Sequence, residues 1–275
     1  MSMEIRFFNG GYCRQLLALV DRRSWRFVRF QAVFLTIKHP TKGWIVIDTG
    51  YANRFIEATR RWPYRLYRYA TPATMNGTAA ATLARAGIDA AQVRHVIITH
   101  FHADHIGGLT DFPNAQIHYH ADAWRSLEQL TPFRQAHAAF LPALIPSWLT
   151  DHSHRIAQSE FERSPELPFP MHDIFNDGSV QLVSLPGHAP GHLGVLFKTS
   201  GKPLLYATDA FWSWAQIGGS VDLLKPVLRF QWDGPAYQTS IRQLRDVART
   251  RQYRILACHA PETQAFVATA NITPQ

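Results

Sequence analysis

The chain has 275 residues, of which 46% are apolar and 17% charged, with 17 Pro and 16 Gly. That composition excludes a disordered chain, a collagen and a coiled coil, because so much apolar side chain supports a core that offsets the entropy of ordering. The formal charge of +8 arises from 23 Arg and 5 Lys against 20 acidic residues, and such a balance favours anionic contacts. The arginines are nevertheless spread along the chain, with no basic tail and no nucleic-acid-binding signature, so nucleic acid is not the expected partner.

The first residues, MSMEIRFFNGGYCR, carry no basic segment followed by an apolar run of leader length, and no stretch is long enough to span a bilayer. A cytoplasmic protein without a transmembrane segment is expected. Short runs rich in Val, Ile, Leu and aromatics, bounded by Gly, Pro, Asp or Asn, predict strands over 4–8, 32–37, 44–47, 93–99, 115–120, 180–185, 193–197, 204–207 and 254–258. Helical patterns fall between them at 77–86, 121–130 and 236–250. In the last, Ile241, Leu244 and Val247 recur at helical spacing while Arg242, Arg245 and Arg249 take the other face. Strands interleaved with helices predict layered α/β architecture.

No linker or low-complexity tract divides residues 1–275, so one domain is expected. Residues 131–179, broken by six prolines, read either as an irregular surface excursion or as a cap over a site. Residues 54–69 place Arg54, Arg60, Arg61, Arg65 and Arg68 among Phe55, Trp62, Tyr64, Tyr67 and Tyr69. One reading is a solvated helix face backed by buried aromatics; the other is a contact surface for a partner chain, a membrane or an acyl substrate. The aromatic-rich segments 17–34 and 54–69 are candidates for a homodimer contact.

Two cysteines, Cys13 and Cys258, cannot build a disulfide framework or a thiolate metal cluster, whereas 14 His ask for a reason. The strongest signal is Thr99-His100-Phe101-His102-Ala103-Asp104-His105-Ile106-Gly107-Gly108, placed after the β-branched run Val96-Ile97-Ile98. In an extended segment, residues two apart face the same way, so His100 and His102 can grip one cation. Asp104 and His105 follow after the chain turns and can address a second position nearby, and Gly107 and Gly108 let backbone pass close.

This pattern resembles the HxHxDH motif of the metallo-β-lactamase superfamily of hydrolases. The likeness runs from the strand ending at Asp48 to His259 and includes Leu185-Pro186-Gly187-His188-Ala189-Pro190-Gly191-His192, Tyr206-Ala207-Thr208-Asp209 and Ala257-Cys258-His259. The resemblance implies an αββα sandwich and two divalent metals, zinc first, with Mn, Fe or Co also compatible with imidazole and carboxylate donors. His100, His102 and His188 would hold one ion, Asp104, His105 and His259 the other, and Asp209 would bridge them. A metal-bridging hydroxide would attack the substrate, with Asp104 carrying a proton to the leaving group. His192 and Asp48 would orient their neighbours by hydrogen bonds rather than bind metal. Cys258 is expected on the opposite face of its strand, in the core.

The details implied by the resemblance narrow the class. His102 departs from the Glu of the flavodiiron branch, and a bridging Asp209 departs from true β-lactamases. The PGHxPGH segment looks most like the N-acyl homoserine lactone lactonases, with a glyoxalase-II-like acyl thioesterase as the alternative. Lactonases commonly place a Tyr three residues after the bridging Asp, where this chain has Trp212. Phe211 and Trp212, with Trp214 and the Pro-rich excursion, are the expected contacts for an apolar or acyl small-molecule substrate. A phosphodiesterase or nuclease and a catalytically silent binding module complete the alternatives.

Overall fold

The computed structural model describes residues 3–21, 24–199 and 201–269. The strands β1 (Glu4–Leu16), β2 (Phe27–His39) and β3 (Gly43–Ile47) come first, followed by helices α1 (Arg54–Ala58) and α2 (Tyr64–Ala70). Next are β4 (Ala73–Met75), α3 (Ala79–Arg85), β5 (Val93–Ile97), α4 (Ala103–Ile106), β6 (Gln116–His120), α5 (Ala121–Glu128) and α6 (Pro132–His137). The strands β7 (Ser153–Ile156), β8 (Glu162–Arg163), β9 (Pro170–Asp173), β10 (Val180–Ser184), β11 (Leu193–Phe197) and β12 (Leu204–Tyr206) follow. The chain closes with α7 (Trp214–Ile217), α8 (Lys225–Leu228), α9 (Gly234–Thr250), β13 (Arg254–Leu256) and α10 (Pro261–Thr269).

These strands form a seven-stranded sheet of order β4-β1-β2-β3-β5-β6-β7 and a six-stranded sheet of order β13-β12-β11-β10-β9-β8. Strand alternation gives each sheet two apolar faces. Leu35, Ile45, Ile47 and Ile97 meet Val180, Leu182, Leu193 and Val195 between the sheets. On the outer face of the first sheet, Val46, Val96 and Ile117 pack with Phe55, Leu83 and Leu127 of the helices. On the outer face of the second, Val183, Leu196 and Leu205 pack with Ile241, Leu244 and Val247 of α9. Two sheets sandwiched between helices make the expected αββα architecture.

The parallel pairs β3–β5, β5–β6 and β12–β13 send their C-terminal ends to the same rim, where connecting loops collect functional groups. The predicted strands are present, with shorter C-terminal ends at β5 and β13. The first hairpin is longer than predicted: β1 pairs with β2 from Glu4↔Lys38 to Leu16↔Phe27, crossing a register shift between Asn9 and Tyr12. Residues 131–179 divide three ways: α6 lines the opening of a cavity, β7 extends the first sheet beside β6, and β8 and β9 form the edge of the second. Among the described residues, no helix is long and apolar enough to cross a membrane.

Candidate metal centre

Seven of the sequence-singled residues converge at that rim. His100 and His102 follow β5, Asp104 and His105 sit on the single turn of α4, His188 lies in the β10–β11 connection, and Asp209 and His259 follow β12 and β13. Close backbone approaches bring these loops together. A Cβ on Gly107 would lie 2.6 Å from Gly50 O, and one on Gly187, at φ +125°, would lie 2.1 Å from Tyr237 N; only glycine fits either position.

Asp209 is the hub. Its Oδ2 is 3.3 Å from His188 Nε2, 3.1 Å from His259 Nε2 and 3.9 Å from His100 Nε2, while Oδ1 is 3.6 Å from His105 Nε2. Asp104 Oδ2 lies 3.2 Å from His259 Nε2 and 3.8 Å from His105 Nε2. Donor atoms of His100, His102, His188 and Asp209 all lie within 4.8 Å of one another, as do those of His105, Asp209, Cys258 and His259. His102 Nδ1 and His188 Nε2 are 3.1 Å apart, near the roughly 3.3 Å that two Zn–N bonds in tetrahedral geometry impose.

Hydrogen bonds behind the cluster set which ring nitrogen is left open. His259 Nδ1 donates to the carbonyl of Gln31 (2.7 Å) and His188 Nδ1 to Gln231 Oε1 (2.8 Å). His105 Nδ1 donates to Asp48 Oδ2 (2.7 Å), and that carboxylate also accepts from the amide and hydroxyl of Thr99 at 2.9 and 2.8 Å. The Thr99 hydroxyl proton is thereby committed, so Thr99 Oγ1 accepts from His100 Nδ1 at 3.2 Å. In all four imidazoles Nδ1 is spent on the scaffold, which leaves Nε2 as the atom that faces the cluster. His100 Nε2, His105 Nε2 and Asp209 Oδ1 are buried without any hydrogen-bond partner. Leaving such groups bare costs about 1–3 kcal/mol each, and a cation in the cluster would remove that cost. Imidazole and carboxylate donors in this arrangement suit a first-row divalent ion.

Electrostatics divides the cluster into two halves. Burial, with the neighbouring imidazoles, holds His100 and His102 well below the usual histidine range. Burial also opposes charge on His105 and His259, but the facing carboxylates outweigh it: Asp48, Asp209 and Asp104 raise His105, and Asp209 leads in raising His259. Burial works against an ionised Asp104 and Asp209, yet His105 and His259 bring Asp104 down to about 2, and His259 and His105 hold Asp209 well below the usual carboxylate range. His100 and His102 are therefore neutral and ready to ligate, whereas His105 and His259 each hold a second proton that a metal ion would displace, because imidazole binds metal only in its neutral form.

Asp48 and His192 are positioned as supports. Asp48 sits at φ 58° and Thr208 at φ 49°, strained strand ends that turn their neighbours into the site. His192 Nδ1 donates to Leu185 O (2.8 Å), and its Nε2 accepts from Thr208 Oγ1 (2.6 Å) and from the amide of Asp209 (3.3 Å). Cys258 differs in part from expectation. It is buried in the inter-sheet core, where its sulfur accepts from Val33 N at 3.2 Å, but that sulfur also stands within 4.8 Å of the donors of His105, Asp209 and His259.

Beside the cluster opens a cavity of about 650 Å³ with largely apolar walls. Trp212 lines it, with its ring edge-on to His188 at 5.7 Å and its buried Nε1 without a partner. Phe211 does not: its side chain is fully buried among the residues behind the second sheet, and Trp214 packs there too. The chain turns after Thr208, so strand alternation does not carry past Asp209. Tyr67, from the aromatic segment 54–69, lines the cavity, as do groups that sequence reasoning missed, among them Tyr51, Arg134, His137, Arg229 and Gln231. They come from loops and short helices without periodicity; only Tyr51, just after the strand ending Asp48-Thr49-Gly50, had a nearby signal.

The fold and this cluster define an αββα protein with a candidate metal-binding site. The chain matches the model of the metallo-beta-lactamase superfamily over residues 29–253 and belongs to that superfamily. It is 30% identical over 185 residues to a probable metallo-hydrolase of Mycobacterium tuberculosis, a match covering 64% of this chain and 56% of that protein. The chain thus spans little more than half the length of that relative. It is 27% identical over 244 residues to the N-acyl homoserine lactonase AttM of Azorhizobium caulinodans, covering 83% of this chain and 81% of the other. A solved structure of B. thuringiensis AiiA with N-decanoyl-L-homoserine at its active site has the same fold, with a TM-score of 0.72 at 18% identity over 100% of this chain and 99% of that one. AidC, a dizinc quorum-quenching lactonase, has a TM-score of 0.68 at 17% identity over 94% and 88% of the two chains.

Proposed function

We propose that the chain is a single-domain, binuclear metal-dependent hydrolase acting on a small lactone or ester with an apolar acyl group. The observation that carries this reading is the convergence of three buried, partnerless donors, His100 Nε2, His105 Nε2 and Asp209 Oδ1, in a cluster whose His102, Asp104, His188, Asp209 and His259 line an apolar cavity. His100, His102 and His188 would hold one ion, Asp104, His105 and His259 the other, with Asp209 between them. Such a pair, zinc first, supplies Lewis acidity toward the substrate carbonyl and a nucleophilic water at neutral pH.

The chain's own groups do the rest. The apolar cavity holds the acyl chain and excludes bulk water, which strengthens every electrostatic contact inside. Trp212 lines the cavity beside His188 and its Nε1–H has no hydrogen-bond partner, which supports giving it the contact to the substrate carbonyl that the lactonase resemblance gives to a Tyr. An indole N–H donates but has no acidic proton to transfer, so protonation of the leaving oxygen falls to Asp104. Asp48 and His192 keep His105 and Asp209 aimed.

An acyl thioesterase is the second reading. It is favoured by Arg134 and Arg229, which line the cavity without a carboxylate partner among the described residues and suit an anionic carrier group. The test compares kcat/KM for a long-chain acyl homoserine lactone with that for an acyl thioester of the same chain. A clear preference for the lactone supports the first reading, a preference for the thioester the second, and hydrolysis of neither by metal-loaded protein refutes both.

A further inference from the structure

Segments that contribute residues to the cavity wall also carry exposed aromatic side chains that no described element covers. Trp25 and Phe27, 77% and 76% exposed, stand at the end of the first hairpin, whose other arm sends Leu19 and Val20 into the cavity wall. Trp62 precedes α2 and Tyr69 lies on it, and Phe133 on α6 meets Trp62 edge-on at 6.0 Å. Phe230, 67% exposed, stacks on His137 at 5.5 Å and also lines the cavity. Single exposed aromatics are ordinary; several on four separate segments that all contribute to one cavity are not.

The same segments are strongly basic. Arg26, Arg61, Arg65, Arg68, Arg134 and Arg229 are exposed, whereas the acidic residues on these stretches are Asp21 and Glu57, and Glu57 faces Arg60 at 3.9 Å. Arg65 lies over the Tyr69 ring, 5.5 Å from its centroid, an arginine–aromatic pairing that favours an interfacial setting.

From this geometry we infer that the collar these segments form beside the cavity docks on an anionic phospholipid surface and lets an acyl chain pass between the membrane and the cavity. Charge complementarity selects this occupant. A second copy bound by a two-fold contact would set the basic collar against itself and cap the opening. Indole and phenol rings beside guanidinium groups match the headgroup region of a bilayer, where rings settle at the interface and basic side chains meet anionic lipid. Leu19 and Phe230 belong to both the collar and the cavity wall, so the apolar path is continuous from surface to site.

The test is flotation of the intact protein with vesicles of phosphatidylglycerol and phosphatidylcholine, against vesicles of phosphatidylcholine alone. Binding does not depend on catalysis, so its failure is separate from failure of the hydrolase reading. The protein is expected to float with the anionic vesicles and to be released by salt. Arg61→Gln with Arg68→Gln, neither of which lines the cavity, is expected to lower the partition coefficient about 30-fold. Trp25→Ser with Phe133→Ser is expected to lower it about tenfold with all charges retained. Unchanged melting of each variant shows that the fold is intact. The inference is overturned by equal flotation with both vesicle types or with neither, by variants that partition like the parent, or by a stable dimer in sedimentation equilibrium.

Discussion

Replacing Asp48 by Asn tests whether the metal cluster is built from behind. The carboxylate is fully buried and accepts three hydrogen bonds, from His105 Nδ1 at 2.7 Å and from the Thr99 amide and hydroxyl at 2.9 and 2.8 Å. Asn tolerates the left-handed backbone at φ 58°, so the main chain keeps its course. Its amide, however, has only one acceptor oxygen. If the oxygen faces Thr99 N, the NH2 group faces His105 Nδ1 and drives the ring proton to Nε2, the atom that must keep its lone pair for metal. If the amide is turned round, its NH2 group meets the Thr99 amide, donor against donor.

In either orientation one buried donor is left bare, at about 1–3 kcal/mol, which corresponds to a Tm roughly 3–10 °C lower for a domain of this size. Metal affinity should fall about 10–100-fold, the usual cost of removing such an orienting partner. The assay is competition with a graded chelator followed by elemental analysis, with melting measured on chelated protein so that the two effects separate. An Asp48→Asn variant that retains metal as tightly as the parent would show that the carboxylate does not set the tautomer of His105.

Three further outcomes follow from other contacts. Trp212→Phe keeps the ring but removes the free Nε1 donor, so kcat against an acyl lactone should drop at least about tenfold with KM little changed; steady-state kinetics decides it. Gly187→Ala forces a methyl to within 2.1 Å of Tyr237 N at φ +125°, and we expect a loss above about 3 kcal/mol by urea unfolding. His118, brought down to about 3 by burial and by its neighbours His95, His154 and His172, is neutral in the folded protein. Because the unfolded chain takes up the proton first, its contribution is complete above about pH 6.5 and is lost as pH falls toward 3. His118→Gln should therefore lose less stability than the parent between pH 7 and pH 4.5, and parallel pH profiles would refute this.

The strands that frame the site were legible because β-branched runs such as Val96-Ile97-Ile98 end at a clear change of composition. The ligand candidates were legible because His100, His102, Asp104 and His105 lie within one short segment. The lengths of β1 and β2 were not: Asn9-Gly10-Gly11 reads as a turn, but Gly11, at φ +125°, forms an irregularity inside a continuous strand pair. The edge strands β7, β8 and β9 have only 4, 2 and 4 residues, too few for alternation to show. In sequence Phe211 reads as an apolar neighbour of Trp212, but the chain turns at Thr208, φ 49°, and Phe211 is buried behind the second sheet. The aromatic-rich segments 17–34 and 54–69 were visible as such, whereas Gln231 owes its position to a tertiary contact, the His188–Gln231 hydrogen bond, that no local pattern encodes.

The central claim is that Asp209 joins two metal ions, and metal content measures it most directly. Elemental analysis of protein purified without chelator should find about two divalent ions per chain, with a clear loss in Asp209→Ala and a circular dichroism spectrum like that of the parent. A chain that carries no metal, and takes up none when Zn or Mn is added, would contradict the binuclear site and the hydrolase built on it.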